Sequence, residues 1–165
     1  MTTSRLIATF FGAGLMRPGP GTWGSLAALP AAWVIHVLGG FPALAVASIA
    51  VFLLGWWVTM VETADTDDPD PSEIVIDEVA GMWIALWPVS LGATMQGVGM
   101  LALWPGWVVA FLAFRLFDIW KPGPIGWADR RHDPLGVMLD DVIAGVFAAV
   151  AVVFAAGISH GILGV

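Results

Sequence analysis

The sequence predicts an all-α protein, a polytopic membrane bundle of about five spans with the N-terminus inside and an N-terminal interfacial helix. Three observations predict it. Of 165 residues, 59% are apolar and only 12% are charged, about half the charged share of a soluble domain. Residues 18–61, 79–114 and 142–165 contain no Asp, Glu, Lys or Arg. The six basic and thirteen acidic residues all lie between those stretches or ahead of the first, where one end of a bundle can collect them.

The elements follow in order. Thr3–Met16 reads as a short membrane-surface helix. Its apolar stretch is short and runs into a Pro/Gly loop, unlike a secretory signal peptide. A spanning helix needs roughly 20 apolar residues, so residues 18–61 hold two, divided at the turn-forming Gly39-Gly40-Phe41-Pro42. Residues 79–114 hold two more around the Gly-containing stretch 90–99, and 142–165 hold one. The expected spans are about 24–39, 43–61, 76–91, 98–117 and 140–162, in a single domain over 1–165. In this arrangement Arg5, Arg17, Arg115, Lys121, Arg130 and Arg131 share one side with every acid. The cytoplasmic bias of basic residues makes that side the inner one, with the C-terminus outside.

Composition also excludes functions. Without Cys there are no disulfides, thiolate metal sites or cysteine-dependent phosphatases. A net charge of −7 argues against nucleic acid. The Trp residues mostly fall near span ends, as interfacial anchors do.

The second uncharged stretch is tight. Removing a turn leaves about 15 residues per span, roughly 22 Å against a hydrocarbon core of about 30 Å. Asp77 and Glu78 before it, and Arg115 and Asp118 after it, therefore sit at or below headgroup level. Charges are costly there and call for mutual pairing or a bound ion.

Three acidic clusters border the membrane: Asp77-Glu78, Asp118 between Arg115 and Lys121, and Asp140-Asp141. The first and third look alike, an acid pair, a branched residue, then Ala-Gly. Such small residues let helices approach closely. Asp118 falls in a last helical turn, because Pro122 forces Lys121 out of the helical region; the helix dipole disfavours an acid there. Arg115 and Lys121 could simply neutralise it, but the cations are too few for five neighbouring acids. Capping explains one acid of each remaining pair and leaves the second unexplained. Oxygen-only ligands at a phosphate-rich interface suggest Mg²⁺.

Smaller features are weighed against this. The loop from Gly12 to Ser25 leads into the first span, and its amides, with Thr22 and Ser25, could form an anion site. Asp65–Glu73 lacks the spacing of an EF-hand and reads as a solvated loop. His36 is mid-span and reads as packed, His160 is near the outer end, and His132 is a candidate proton carrier.

PGTWGSLAALP (20–30), IVIDEVAGMWIAL (74–86), FRLFDIWKPGPIGWADRR (114–131) and GVMLDDVIAG (136–145) resemble the phosphatidylglycerophosphatase A family of bacterial inner-membrane lipid phosphatases. The resemblance implies Mg²⁺-dependent hydrolysis of phosphatidylglycerol phosphate to phosphatidylglycerol and phosphate, on the cytoplasmic leaflet. By position it implies catalytic roles for Asp77, Glu78, Asp118 and Asp141, which with Asp140 would hold metal. Gly21, Thr22, Arg115, Lys121 and Arg130 would bind substrate, and water would attack, with an aspartyl phosphate as the variant. Two departures touch loop shape: Arg17-Pro18 stands where the family has Pro earlier, and His132-Asp133-Pro134 replaces a Gly-Gly loop. The rival readings are a small transporter or channel coupled through membrane-rim acids and a phosphatase for another lipid phosphate. The chain lacks the pattern of the transferases that make phosphodiester lipids.

Overall fold

The structure, a computed structural model, describes residues 1–159, and those residues form helices and turns without any strand. The helices are α1 (Thr3–Ala8), α2 (Pro20–Thr63), α3 (Ile76–Ala85), α4 (Trp87–Gln96), α5 (Trp104–Trp120), α6 (Pro124–Asp129) and α7 (Pro134–Ile158), with 3-10 turns at Ala13–Leu15 and Met100–Leu103. Three segments are long and apolar enough to cross a membrane: Pro20–Thr63, Met100–Trp120 and Pro134–Ile158. The expected end of the last span, His160 and the C-terminus lie outside the described residues.

The turn expected at 39–42 is a sharp kink inside α2. Gly40 takes φ 64° and ψ −158°, a region open essentially to glycine alone. The Phe41 amide beyond it donates to Thr94 Oγ1 at 3.3 Å, which fastens the kink to the far end of α4. The expected span 76–91 is instead two helices of ten residues each. They meet at Leu86 because Pro88, in the first turn of α4, has no amide to donate. The helical path then continues to Gln96, where Gly97 stops it at φ 65°. Helix α5 starts at Trp104 rather than 98, after the 3-10 turn, and ends at Trp120 with Lys121 at φ 50°, ψ 50°. Pro122 denies that residue the right-handed region.

Two further boundaries correct the sequence reading. Helix α1 stops at Ala8, well short of Met16, because Phe10, Phe11 and Gly12 all take positive φ. Helix α7 starts at Pro134, six residues ahead of the expected 140. Asp133 is its N-cap, accepting the Gly136 amide at 2.6 Å, with Pro134 in the first turn. Asp140 and Asp141 therefore stand two turns inside the helix and do not cap it. The Arg131 hydrogen bond holds the Asp133 carboxyl below its ordinary 3.8. Its cap is thus fully present above that value and is lost only as pH falls through the lowered pKa.

Every ion pair among the described residues gathers at one end of the bundle, where Arg5 reaches Glu62 and Glu73 and Lys121 reaches Asp129 and Asp140. Neutral contacts hold the interior and the other end. His36 Nδ1 lies 2.7 Å from Ser90 Oγ, packed and hydrogen-bonded as expected, and Trp87 Nε1 donates to Ser48 Oγ at 3.1 Å. Helices α3 and α7 cross at Gly81 and Gly145. A Cβ on Gly145 would run into the Gly81 carbonyl, and one on Gly81 would meet Asp141 O and, at 2.6 Å, the Phe114 ring. The Ala-Gly steps thus do what their sequence suggested: they bring two backbones into contact one turn below the acids.

Gly145→Ala is expected to cost about 1–3 kcal/mol through overpacking. Gly92→Ala in α4, where the nearest atom to a new Cβ is Leu103 Cδ1 at 3.5 Å, should be neutral or gain up to about 1 kcal/mol of helix propensity. Thermal unfolding of the two variants in detergent measures the contrast.

Candidate metal centre

Asp77 and Glu78 occupy the first turn of α3, and Asp141 comes from α7 across the glycine crossing. One carboxylate oxygen from each of the three lies within 4.8 Å of the others. Asp77 and Asp141 are 7% and 2% exposed. Two oxygens of the cluster, Glu78 Oε2 and Asp141 Oδ1, are buried without any hydrogen-bond partner among the described residues. A buried oxyanion with nothing to accept from is costly, and three such acids together repel. At about 4 Å and an effective dielectric of about 20, each like pair costs about 4 kcal/mol. A divalent cation fits both observations: hard oxygen ligands, convergent, with unused lone pairs.

The neighbouring acids differ. Asp118 Oδ2 is 2.6 Å from Arg115 Nη1, and Asp140 Oδ2 is 2.8 Å from Lys121 Nζ. Lys121 also bonds Asp129. The spacing left open whether Arg115, Lys121 or both neutralise Asp118; Arg115 does, and Lys121 turns to the other side. Burial alone would lower the Lys121 pKa, but its hydrogen bonds to Asp129 and Asp140 outweigh that and raise it. The two bases thus take two of the five rim acids, and the three left over are the three that converge. Asp118 still stands close enough for its charge to act on Asp141 and Glu78.

The two acid pairs are built alike. Asp77 Oδ1 accepts the Glu78 amide at 2.9 Å, and Asp140 Oδ1 accepts the Asp141 amide at 2.9 Å. In each pair the first acid braces the second. Asp77 also contributes to the cluster, whereas Asp140 has both oxygens engaged.

The N-terminal loop reaches this centre at Gly21. A Cβ there would collide with the Glu78 carboxylate and lie 3.3 Å from Arg115 Nη1, so the bare backbone at the start of α2 forms one wall. Arg115 keeps Nε buried and without a hydrogen-bond partner among the described residues. Two other glycines of this segment serve packing: a Cβ on Gly14 would strike Glu73 O, and one on Gly24 would meet the Val75 side chain at 2.7 Å. Thr22 is half-buried beside Gly19, its amide donating to Gly19 O at 3.0 Å. Arg130 is exposed, beside Gly126.

Sequence reasoning missed a second feature. Asp68, Asp70, Asp129, His132 and Asp140 line a cavity of about 250 Å³. The 65–73 loop therefore folds back along the bundle end instead of standing wholly in solvent, and His132 faces this cavity. Asp129 carried no signal in the sequence, since its link to Lys121 depends on how α6 folds back.

The model of the phosphatidylglycerophosphatase A family matches residues 6–156. The chain belongs to that family. Membership places it among the phosphoric monoester hydrolases. A Haemophilus influenzae phosphatidylglycerophosphatase A is 38% identical over 89% of this chain and 85% of its own length. An Escherichia coli phosphatidylglycerophosphatase A is 36% identical over 87% and 78%. A Bacteroides thetaiotaomicron relative with the provisional name phosphatidylinositol-3-phosphatase is 33% identical over 91% of each chain. No solved structure matches the chain.

Gly21→Ala is expected to leave the bundle folded but cut phosphatase activity about 100-fold, the scale of a 1 Å misplacement of reacting groups. Phosphate release and thermal unfolding, measured on the same sample, check it.

Proposed function

We propose that the chain hydrolyses phosphatidylglycerol phosphate to phosphatidylglycerol and inorganic phosphate with Mg²⁺, as a step of phospholipid synthesis in the bacterial inner membrane. The observation that carries this reading is the trio Asp77, Glu78 and Asp141, whose oxygens lie within 4.8 Å of one another while Arg115 and Lys121 are spent on other acids. The names of the Haemophilus influenzae and Escherichia coli relatives support the lipid.

The chain crosses the bilayer about five times: twice through the limbs of α2, once through α3 and α4 together, once through α5 and once through α7. The charged end faces the cytoplasm, following the bias of basic residues, and α1 lies along the inner surface. Asp77, Glu78 and Asp141 hold the cation. A divalent ion there supplies charge neutralisation for the phosphate and Lewis acidity toward the attacking water. Asp118 stands at the edge of the centre and aims Arg115, whose free Nε and partly engaged fork bind phosphate oxygens as charge-assisted donors. Gly21 gives the phosphate room, Thr22 adds a neutral donor, and exposed Arg130 attracts the anionic headgroup. Water displaces the glycerol oxygen from phosphorus.

A second headgroup is favoured by the name of the Bacteroides thetaiotaomicron relative: an inositol lipid phosphate could be turned over in the same centre.

The chain reconstituted in vesicles with phosphatidylglycerol phosphate should release phosphate with Mg²⁺ and stop with chelator. Glu78→Gln and Asp141→Asn should each lose more than about 100-fold, beyond the loss seen when residues supporting a ligand are removed. Equal rates with and without chelator would defeat the metal reading. Faster turnover of phosphatidylinositol 3-phosphate in a parallel reaction would reassign the substrate.

A further inference from the structure

Lys121, Asp129 and Asp140 tie the ends of α5 and α6 to α7, two turns past its start. Lys121 closes α5 in a left-handed turn. Helix α6 then folds back so tightly that a Cβ on Gly126 would lie 2.7 Å from Lys121 O. That fold-back carries Asp129, the last residue of α6, to the ammonium group. The same ammonium donates to Asp140 Oδ2 at 2.8 Å. Asp140 is 6% exposed, and its other oxygen accepts the amide of Asp141.

The consequence is a chain of contacts ending at the candidate centre. An ammonium has three donors, and Lys121 has committed two. Drawing it toward a phosphate would leave Asp140 buried, charged and unpaired, beside Asp141 and in a cavity that Asp68, Asp70 and Asp129 also line. Removing one partner of a buried pair is strongly destabilising. Asp129 is the outer anchor: its side chain is 39% exposed, against 8% for Asp140. His132, which faces the same cavity, is exposed.

We infer that Lys121 and Asp129 are positioning residues: together they hold Asp140, and through its bond to the Asp141 amide they set the pose in which Asp77, Glu78 and Asp141 take a divalent cation. Lys121 is then a brace of the centre rather than a phosphate ligand, and Asp140 supports a ligand rather than acting as one. The inference rests on the metal centre proposed above and assigns work to Asp129, which otherwise has none.

The probe is Mn²⁺ alone, its binding to the detergent-solubilised full chain followed by the loss of the free-ion electron paramagnetic resonance signal. Steady-state hydrolysis of phosphatidylglycerol phosphate is measured alongside. Asp129→Asn and Lys121→Met should each weaken Mn²⁺ binding by about 10–100-fold, the usual effect of losing a residue that orients a metal ligand, with KM for the lipid unchanged. Asp129→Glu should restore most of the affinity. The double variant should bind no worse than Lys121→Met alone, because the two act through one contact. If KM rises while Mn²⁺ affinity holds, Lys121 touches phosphate and the inference falls. It falls equally if Asp129→Asn, an isosteric change on a half-exposed side chain, alters neither quantity. A wild-type chain that binds no Mn²⁺ overturns the metal centre itself, and this inference with it.

Discussion

The contact between the backbones of α3 and α7 at Gly81 and Gly145 is what the rest depends on. Each helix carries an acid just before this point, and the crossing turns two remote stretches of sequence into one cluster. Tight packing works against electrostatics here. Three carboxylates would repel by several kcal/mol, and the crossing that sets them side by side is packed in a core with fully buried Ile76, Met82, Phe114 and Met138. A side chain at either glycine would part the helices and relax that repulsion. The smallest residue is therefore required where the largest charge density is held.

Charge partition follows from that frame. Five acids surround the centre and two bases are within reach. Arg115 sits three residues before Asp118 on α5, so helical spacing alone pairs them. Lys121, one turn further on, is past the helix end and rotates away to Asp140 and Asp129. Among the described residues the pairing leaves Asp77, Glu78 and Asp141 without an ion-pair partner, and two of their oxygens without any donor. The three unpaired acids converge with oxygen-only donors, the kind of set a hard divalent cation takes.

What the sequence made legible was what local chemistry decides. The kink at Gly39–Gly40 needed only glycine and proline. The end of α5 needed only Pro122. The α3–α7 contact was readable because the same acid-pair, Ala-Gly pattern occurs twice. The start of α7 was misplaced because charge was taken as the boundary, whereas an Asp cap and Pro134 carry the helix two turns before its uncharged stretch begins. The early stop of α1 had no local signal, since Phe10 and Phe11 are not residues that favour positive φ. Asp129 was invisible for a third reason: its partner is fixed by the tertiary fold of α6 against Lys121. The five acids at this end of the bundle were thus legible as a group, but not which three of them converge.

The Gly-rich loop shows how far a motif reading carries. Its composition suggested a cradle of backbone amides for an anion, as in phosphate-binding loops. In the fold, Thr22 and Trp23 donate their amides to Gly19 O at 3.0 and 3.3 Å, so two of the first donors of α2 are already spent. Gly14 and Gly24 are used to press the chain onto Glu73 and Val75, the segment leading into Asp77. The Val75 amide donates back to Ala8 O at 2.9 Å, which closes this clamp over the start of α3. Among the glycines of this loop, Gly21 is the one that faces the acids. The loop therefore supplies shape and rigidity more than positive charge. On the function proposed above, attraction for a phosphate at this end of the bundle would fall to Arg115 and to a cation held by Asp77, Glu78 and Asp141, so that acids and anion would share one site.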